Sequence, residues 1–137
     1  MRKFILLVFL NALFLSGDGY FGRGFSQQGE NRKMCEGPQT VLTGPFLKLA
    51  DYPGGNGYAI DLVSLSSISD DIDHKTRSPL ILCEDGKPLG PAHTAHDEVN
   101  SMGRGRYSHW LTKLRFSASD NSDPNTNKRA YAIVVPR

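Results

Sequence analysis

The chain has 137 residues, of which 39% are hydrophobic and 22% charged, the balance of one ordinary globular domain with a single modest core. Its formal charge of +2 disappears once Arg2 and Lys3 are set aside, because the remaining 14 Lys and Arg face 14 Asp and Glu. A nucleic-acid partner, which would need a surplus of cations on one face to neutralise phosphates, is therefore not expected.

The first stretch reads as a targeting segment. Arg2 and Lys3 precede Phe4 to Leu15, which is apolar except for Asn11. That run is too short for a span of about 20 residues but suits a secretory leader, so residues 1–17 are assigned as a signal peptide. Leu15-Ser16-Gly17 lacks an A-x-A pattern, so an uncleaved anchor is the alternative and the one route to a membrane. Cys35 lies well downstream, which argues against a lipid-modified N-terminus. Export predicts a secreted or periplasmic location. Residues 18–38 are rich in Gly, Gln and Ser with isolated Tyr20, Phe21 and Phe25 and no sustained apolar period; a flexible linker is expected, with the folded domain over 39–137.

Cys35 and Cys83 are the only cysteines. An oxidising compartment permits a bond between them, worth about 4 kcal/mol in the chain-entropy model. The alternative is a buried Cys83 with Cys35 loosely held. Without CxxC spacing they give no evidence of zinc.

In chain order, Val41, Leu42, Phe46, Leu47 and Leu49 surround Gly44-Pro45 and predict a strand interrupted or kinked at the proline. Tyr52 to Gly57 is a turn cluster. Tyr58, Ile60 and Leu62 alternate with Ala59, Asp61 and Val63, the period of a strand with one buried face. Ser64 to Arg77, with Asp70, Asp71 and Asp73, has loop chemistry, and His74 within it is expected to be exposed. Leu80 to Cys83 suits a strand buried on both faces. Asp85-Gly86 then supplies the positive-φ pair of a type I′ hairpin, whose return strand is held short and at an edge by Pro88 and Pro91.

A short helix is predicted over 95–102, capped by Thr94, with Asp97 and Glu98 at its positive end, Gly103 closing it, and Val99 and Met102 on its inner face. Tyr107–Trp110 and Lys113–Ala118 read as two strand pieces joined near Leu111-Thr112, or as one bulged strand. Tyr131, Ile133 and Val135 close the chain as a last strand. Short strands at this spacing predict a mostly β, antiparallel β-sandwich, jelly-roll-like, with one short helix; a small barrel is the related alternative.

The chemistry-bearing residues lie in the second half. His93 and His96, three apart, with Asp97 and His109, make a metal site or an acid and base pair only if the fold gathers them. The spacing matches no H-E-x-x-H pattern, which favours structural histidines. Ser108 beside His109 is no triad, since adjacent strand residues point to opposite faces and G-x-S-x-G is absent. In the run from Ser119 to Asn127, Asp120, Asp123 and Asn125 are the oxygen set calcium would use. The EF-hand loop glycine and closing glutamate are missing, however, and Asx turns explain the composition more simply. Sugar recognition needs an apolar ring and fixed polar groups. Arg106, Tyr107, His109 and Trp110, with Asp120, Asn121, His93 and His96, form the candidate ligand-binding set; the competing role for Trp110 is to anchor the core, and for the SDNSDP loop to brace the RYSHW strand.

Glu84 to Pro91, His93, His96, Gly105 to Trp110, Phe116, Ser117, Ser119 to Pro124, Thr126, Asn127, Arg129 and Tyr131 carry a family resemblance. Together they resemble a short bacterial domain that recurs in surface-polysaccharide proteins and beside methyltransferase and glycosyltransferase domains. Its pattern runs EDG-x-PLGP-x-H-x-x-H, GGGRYSHW, then FS-x-SDNSDP-x-TNGR-x-Y. The chain departs from it at Arg104 and Lys128, where the family tends to have glycine, which bears on the turns there. The resemblance implies a β-rich accessory module connected with glycans and no catalytic mechanism.

The expected function is thus a non-catalytic accessory module, with no cofactor, that binds a carbohydrate or a cell-surface protein. Two rivals stand beside it: a histidine-dependent hydrolase, in one version metal-assisted, and a structural partner-docking domain.

Overall fold

A computed structural model describes residues 33–50 and 53–137. The expected signal peptide over 1–17 and most of the expected linker lie outside the described residues. Among those described, no helix is long and apolar enough to cross a membrane.

The protein is mostly β, built from two antiparallel four-stranded sheets. The strands are β1 (Thr40–Leu42), β2 (Leu47–Lys48), β3 (Tyr58–Asp61), β4 (Ile81–Glu84), β5 (Lys87–Pro88), β6 (Tyr107–Trp110), β7 (Lys113–Phe116) and β8 (Tyr131–Val134). One sheet has the order β1-β8-β4-β5 and the other β2-β3-β7-β6. A 3-10 helix (Val63–Ile68) follows β3, and one short helix, α1 (His96–Ser101), packs on β6 and β7.

Of the two expectations for the stretch around Gly44-Pro45, the strand is interrupted rather than kinked. The chain leaves β1 in the first sheet, turns through Gly44-Pro45 and enters β2 in the second. Proline lacks the N–H that a continuous ladder would need at that point. Asn125 holds the turn from across the fold: its side-chain oxygen accepts the Phe46 N–H at 2.8 Å and its amide donates to the Phe46 carbonyl at 3.0 Å.

The Asp85-Gly86 hairpin is as the sequence predicts. Both residues have positive φ (49° and 74°), Glu84 pairs with Lys87 and Cys83 with Pro88, and β5 is a two-residue edge strand. Lys113 to Phe116 alternates as expected, with Leu114 and Phe116 fully buried. Leu111, at φ 52°, and Thr112 turn the chain between β6 and β7, which pair as a hairpin. β8 is buried along its whole length because it lies between β1 and β4.

Residues from both sheets share one core. Leu42, Leu82, Tyr131 and Ile133 from the first meet Tyr58, Tyr107, Leu114 and Phe116 from the second. Phe46 sits edge-on to Phe116 and Tyr131 at centroid distances of 5.1 and 5.6 Å. Each such ring or aliphatic side chain taken from water stabilises the fold by about 1.5–3 kcal/mol.

Cys35 and Cys83 are disulfide-bonded, and Cys35 packs with Cys83 and Val134 in a second apolar cluster. The ordered domain therefore takes in Cys35, ahead of the expected boundary at 39, because a covalent bond to β4 holds it there.

The helix differs from expectation in its cap. Thr94 stands two residues before His96, and its hydroxyl donates to the Pro91 carbonyl at 2.8 Å; Ala95 occupies the cap position with no side-chain bond. Gly103, at φ 63°, does close the helix, its N–H bonding to the Glu98 carbonyl. Val99 is buried as predicted, whereas Met102 is 50% exposed, since the helix ends at Ser101 and releases it outward.

Candidate functional site

A polar concavity lies along the open edge of β6. This strand ends its sheet and would expose unpaired backbone. Two loops cover it instead. The Pro91–Thr94 loop pairs at one end, with Tyr107 N–H bonding to Pro91 and Thr94 N–H bonding to Tyr107. Asp70 pairs at the other, its N–H bonding to His109 and its carbonyl accepting from Leu111 N–H. Between these loops and the start of α1 is a cleft of about 330 Å³ lined by Asp70, Lys75, His93, Thr94, Ala95, His96, Ser108 and Trp110.

Strand alternation decides which residues of the RYSHW stretch reach it. Ser108 and Trp110 fall on the cleft side. Tyr107 and His109 fall on the other face: Tyr107 is buried in the core and donates its hydroxyl to the Leu80 carbonyl at 2.9 Å, and His109 is 1% exposed. Neither contributes to the cleft, which corrects their place in the candidate ligand set. Burial raises the Tyr107 phenol above its ordinary value and lowers His109 below its own, with the nearby Asp70 charge partly opposing the histidine shift. Arg106 is spent on the Gly103 carbonyl at 3.0 Å.

The SDNSDP loop does meet the RYSHW segment, but at the end remote from Trp110. Asn121 accepts the Arg104 N–H at 2.6 Å and so ties the turn that leads into β6. Asp120 pairs with Arg129 at 2.6 Å, and that pairing holds its carboxyl well below the usual range. Arg129 also bonds Glu84, whose buried carboxylate accepts from Ser119 and from the Tyr131 hydroxyl. Asp120, Asp123 and Asn127 close Asx turns onto Ser122, Asn125 and Arg129. This loop is a brace between β4, β8 and the β6 turn, so Asp120 and Asn121 are not part of the cleft. The oxygens considered for calcium serve these internal bonds, and among the described residues no three His, Cys, Asp or Glu side chains converge to hold a metal.

Within the cleft, His93 Nδ1 lies 2.6 Å from Asp70 Oδ2. The Asp70 side chain is 1% exposed, and its other oxygen accepts the Ser78 N–H at 2.8 Å. Ser78 Oγ in turn lies 2.7 Å from His109 Nδ1. A buried polar chain thus runs from His109 through Ser78 and Asp70 to His93 at the cleft wall. An ionised carboxylate only accepts, so Nδ1 of His93 carries the shared hydrogen. His93 also holds a left-handed backbone conformation, φ 55°, which costs a non-glycine residue about 1 kcal/mol or more.

His96 makes a different set of contacts. Its Nε2 is 3.2 Å from Arg115 Nη1 and 3.5 Å from Ser108 Oγ, and its ring stands edge-on to Trp110 at 5.6 Å. A guanidinium has only donors, so Nε2 is the accepting nitrogen in this contact. The indole of Trp110 is half-buried, meets His96 edge-to-face and lines the cleft.

Of the eight expected ligand residues, His93, His96 and Trp110 converge and the other five do not. Asp70 is the residue that sequence reasoning missed. Nothing in the run Asp70-Asp71-Ile72-Asp73 marks the first acid as the buried one. Compared with protein-family models, curated proteins and solved structures, the chain matches none.

Proposed function

We propose that the chain is an exported accessory module, a jelly-roll-like β-sandwich, that binds a carbohydrate in the cleft along β6. The observation that carries this reading is Trp110: a half-buried indole that meets His96 edge-to-face and lines a cleft that also presents Lys75, His93 and Ser108. An accessible ring face receives the C–H side of a pyranose, and the surrounding donors and acceptors hold its hydroxyls. The resemblance to modules of surface-polysaccharide proteins points the same way. The Cys35–Cys83 bond fits an oxidising compartment and so supports export.

The test is binding of the purified chain to an array of bacterial surface glycans, followed by titration of the best ligand. Trp110→Ala is expected to weaken binding roughly 10- to 100-fold, the effect of removing a buried aromatic anchor, with the melting temperature nearly unchanged. A wild-type protein that binds no glycan, or a variant that binds as well, overturns the reading.

A further inference from the structure

The cleft also contains more than recognition requires. Sugar hydroxyls are bound by any exposed polar groups, yet here a fully buried carboxylate is directed at one imidazole, and a second buried shell of Ser78 and His109 holds that carboxylate. Burying an ionised group is costly unless every lone pair is engaged. His93 is moreover fixed in a backbone conformation that histidine rarely adopts. Such costs gather where geometry serves chemistry.

We propose that His93 is a general base that hydrolyses an O-acyl ester, with Asp70 as its positioning residue. That the ester is carried on a carbohydrate rests on the binding reading above. With Nδ1–H donated to Asp70, Nε2 keeps its lone pair for the cleft. There it takes a proton from water as the water oxygen bonds to the ester carbonyl carbon and the carbonyl π electrons move to oxygen. The tetrahedral intermediate then collapses, the bond from carbon to the sugar oxygen breaks, and Nε2–H returns the proton to that oxygen. One ester and one water become one carboxylic acid and one alcohol. Lys75, on the same wall, offers positive charge to the developing oxyanion. Cleavage of a glycosidic bond generally uses two carboxylates flanking it, and among the described residues Asp70 is the one carboxylate that lines the cleft, so the ester is the better match.

The experiment uses the full chain and p-nitrophenyl acetate, an activated ester without a sugar. Wild-type protein is expected to hydrolyse it at least about 100-fold above buffer, the range for a positioned base. His93→Gly suits the left-handed backbone and so keeps the fold, checked by its melting curve; its rate is expected to fall to background. Added imidazole should restore it in a saturable way, which a structural role for His93 would not produce. Asp70→Asn, if its melting curve stays intact, should lower kcat with KM little changed. The proposal is overturned if wild type is no faster than His93→Gly, or if imidazole accelerates that variant no more than it accelerates buffer. Because the probe has no sugar, either failure leaves carbohydrate binding, read separately through Trp110→Ala, where it stood.

Discussion

His109 is the clearest case of a single residue whose burial has a measurable cost. Its folded state resists protonation, while the unfolded chain takes the proton near pH 6.5. Below that pH the unfolded state binds more protons than the folded one, so stability is full above pH 6.5 and falls as the pH drops further, by up to about 1.4 kcal/mol per unit. Denaturant unfolding between pH 7.5 and 5 should show this slope, and it should shrink in His109→Gln; an unchanged slope would assign it to other groups. Glu84 is the comparable case among the acids. Its carboxylate accepts from Ser119, Arg129 and Tyr131 at the junction of β4, β8 and the Asx loop. Glu84→Ala leaves Ser119 and the Tyr131 hydroxyl without this acceptor, while Arg129 keeps Asp120, and a loss of about 3 kcal/mol is expected in chemical denaturation.

At the level of elements, the turns that depend on a residue pair were legible and those that depend on a tertiary partner were not. Asp85-Gly86 announces its hairpin because the required positive φ values select the residue types directly. Thr94 did not reveal that it is out of position for the helix, because the competing acceptor, the Pro91 carbonyl, is brought near by the cover of the β6 edge. Arg104 and Lys128 extend the point. Both hold left-handed φ, 59° and 60°, while remaining exposed. The turn shape is thus kept without the residue that adopts it freely. Lys128→Gly is expected to stabilise the fold by about 1 kcal/mol, raising the melting temperature by roughly 4 °C; a lower melting temperature would mean that the lysine side chain contributes contacts of its own.

For the whole molecule, the β-rich class followed from the sequence and two cysteines left one possible pairing with its formation open, whereas the arrangement of the site was not legible. Period-two alternation alone would have separated Ser108 and Trp110 from Tyr107 and His109, yet which pair faces the core depends on the sheet that β6 joins. Asp70 sits 23 residues before its partner His93 and comes from a loop without periodicity, so only the closed fold brings them together. The disulfide fixes that closure. Replacing both Cys35 and Cys83 by Ser is expected to cost about 4 kcal/mol in denaturant unfolding, and reduction of the native chain should match it. A much smaller loss would show that the cluster of Ile81 and Val134 already holds the segment.

The same bond sets how the molecule would bear tension. A pull applied ahead of Cys35 does not travel along the backbone through β1, β2 and β3. It passes through sulfur to Cys83 on β4, an interior strand hydrogen-bonded on both sides. The segment between the cysteines, which are 48 positions apart and have Asp70 between them, therefore carries none of the load. Under such a pull Asp70 is bypassed, while β4 and the chain that runs on from it to His93 take the force first.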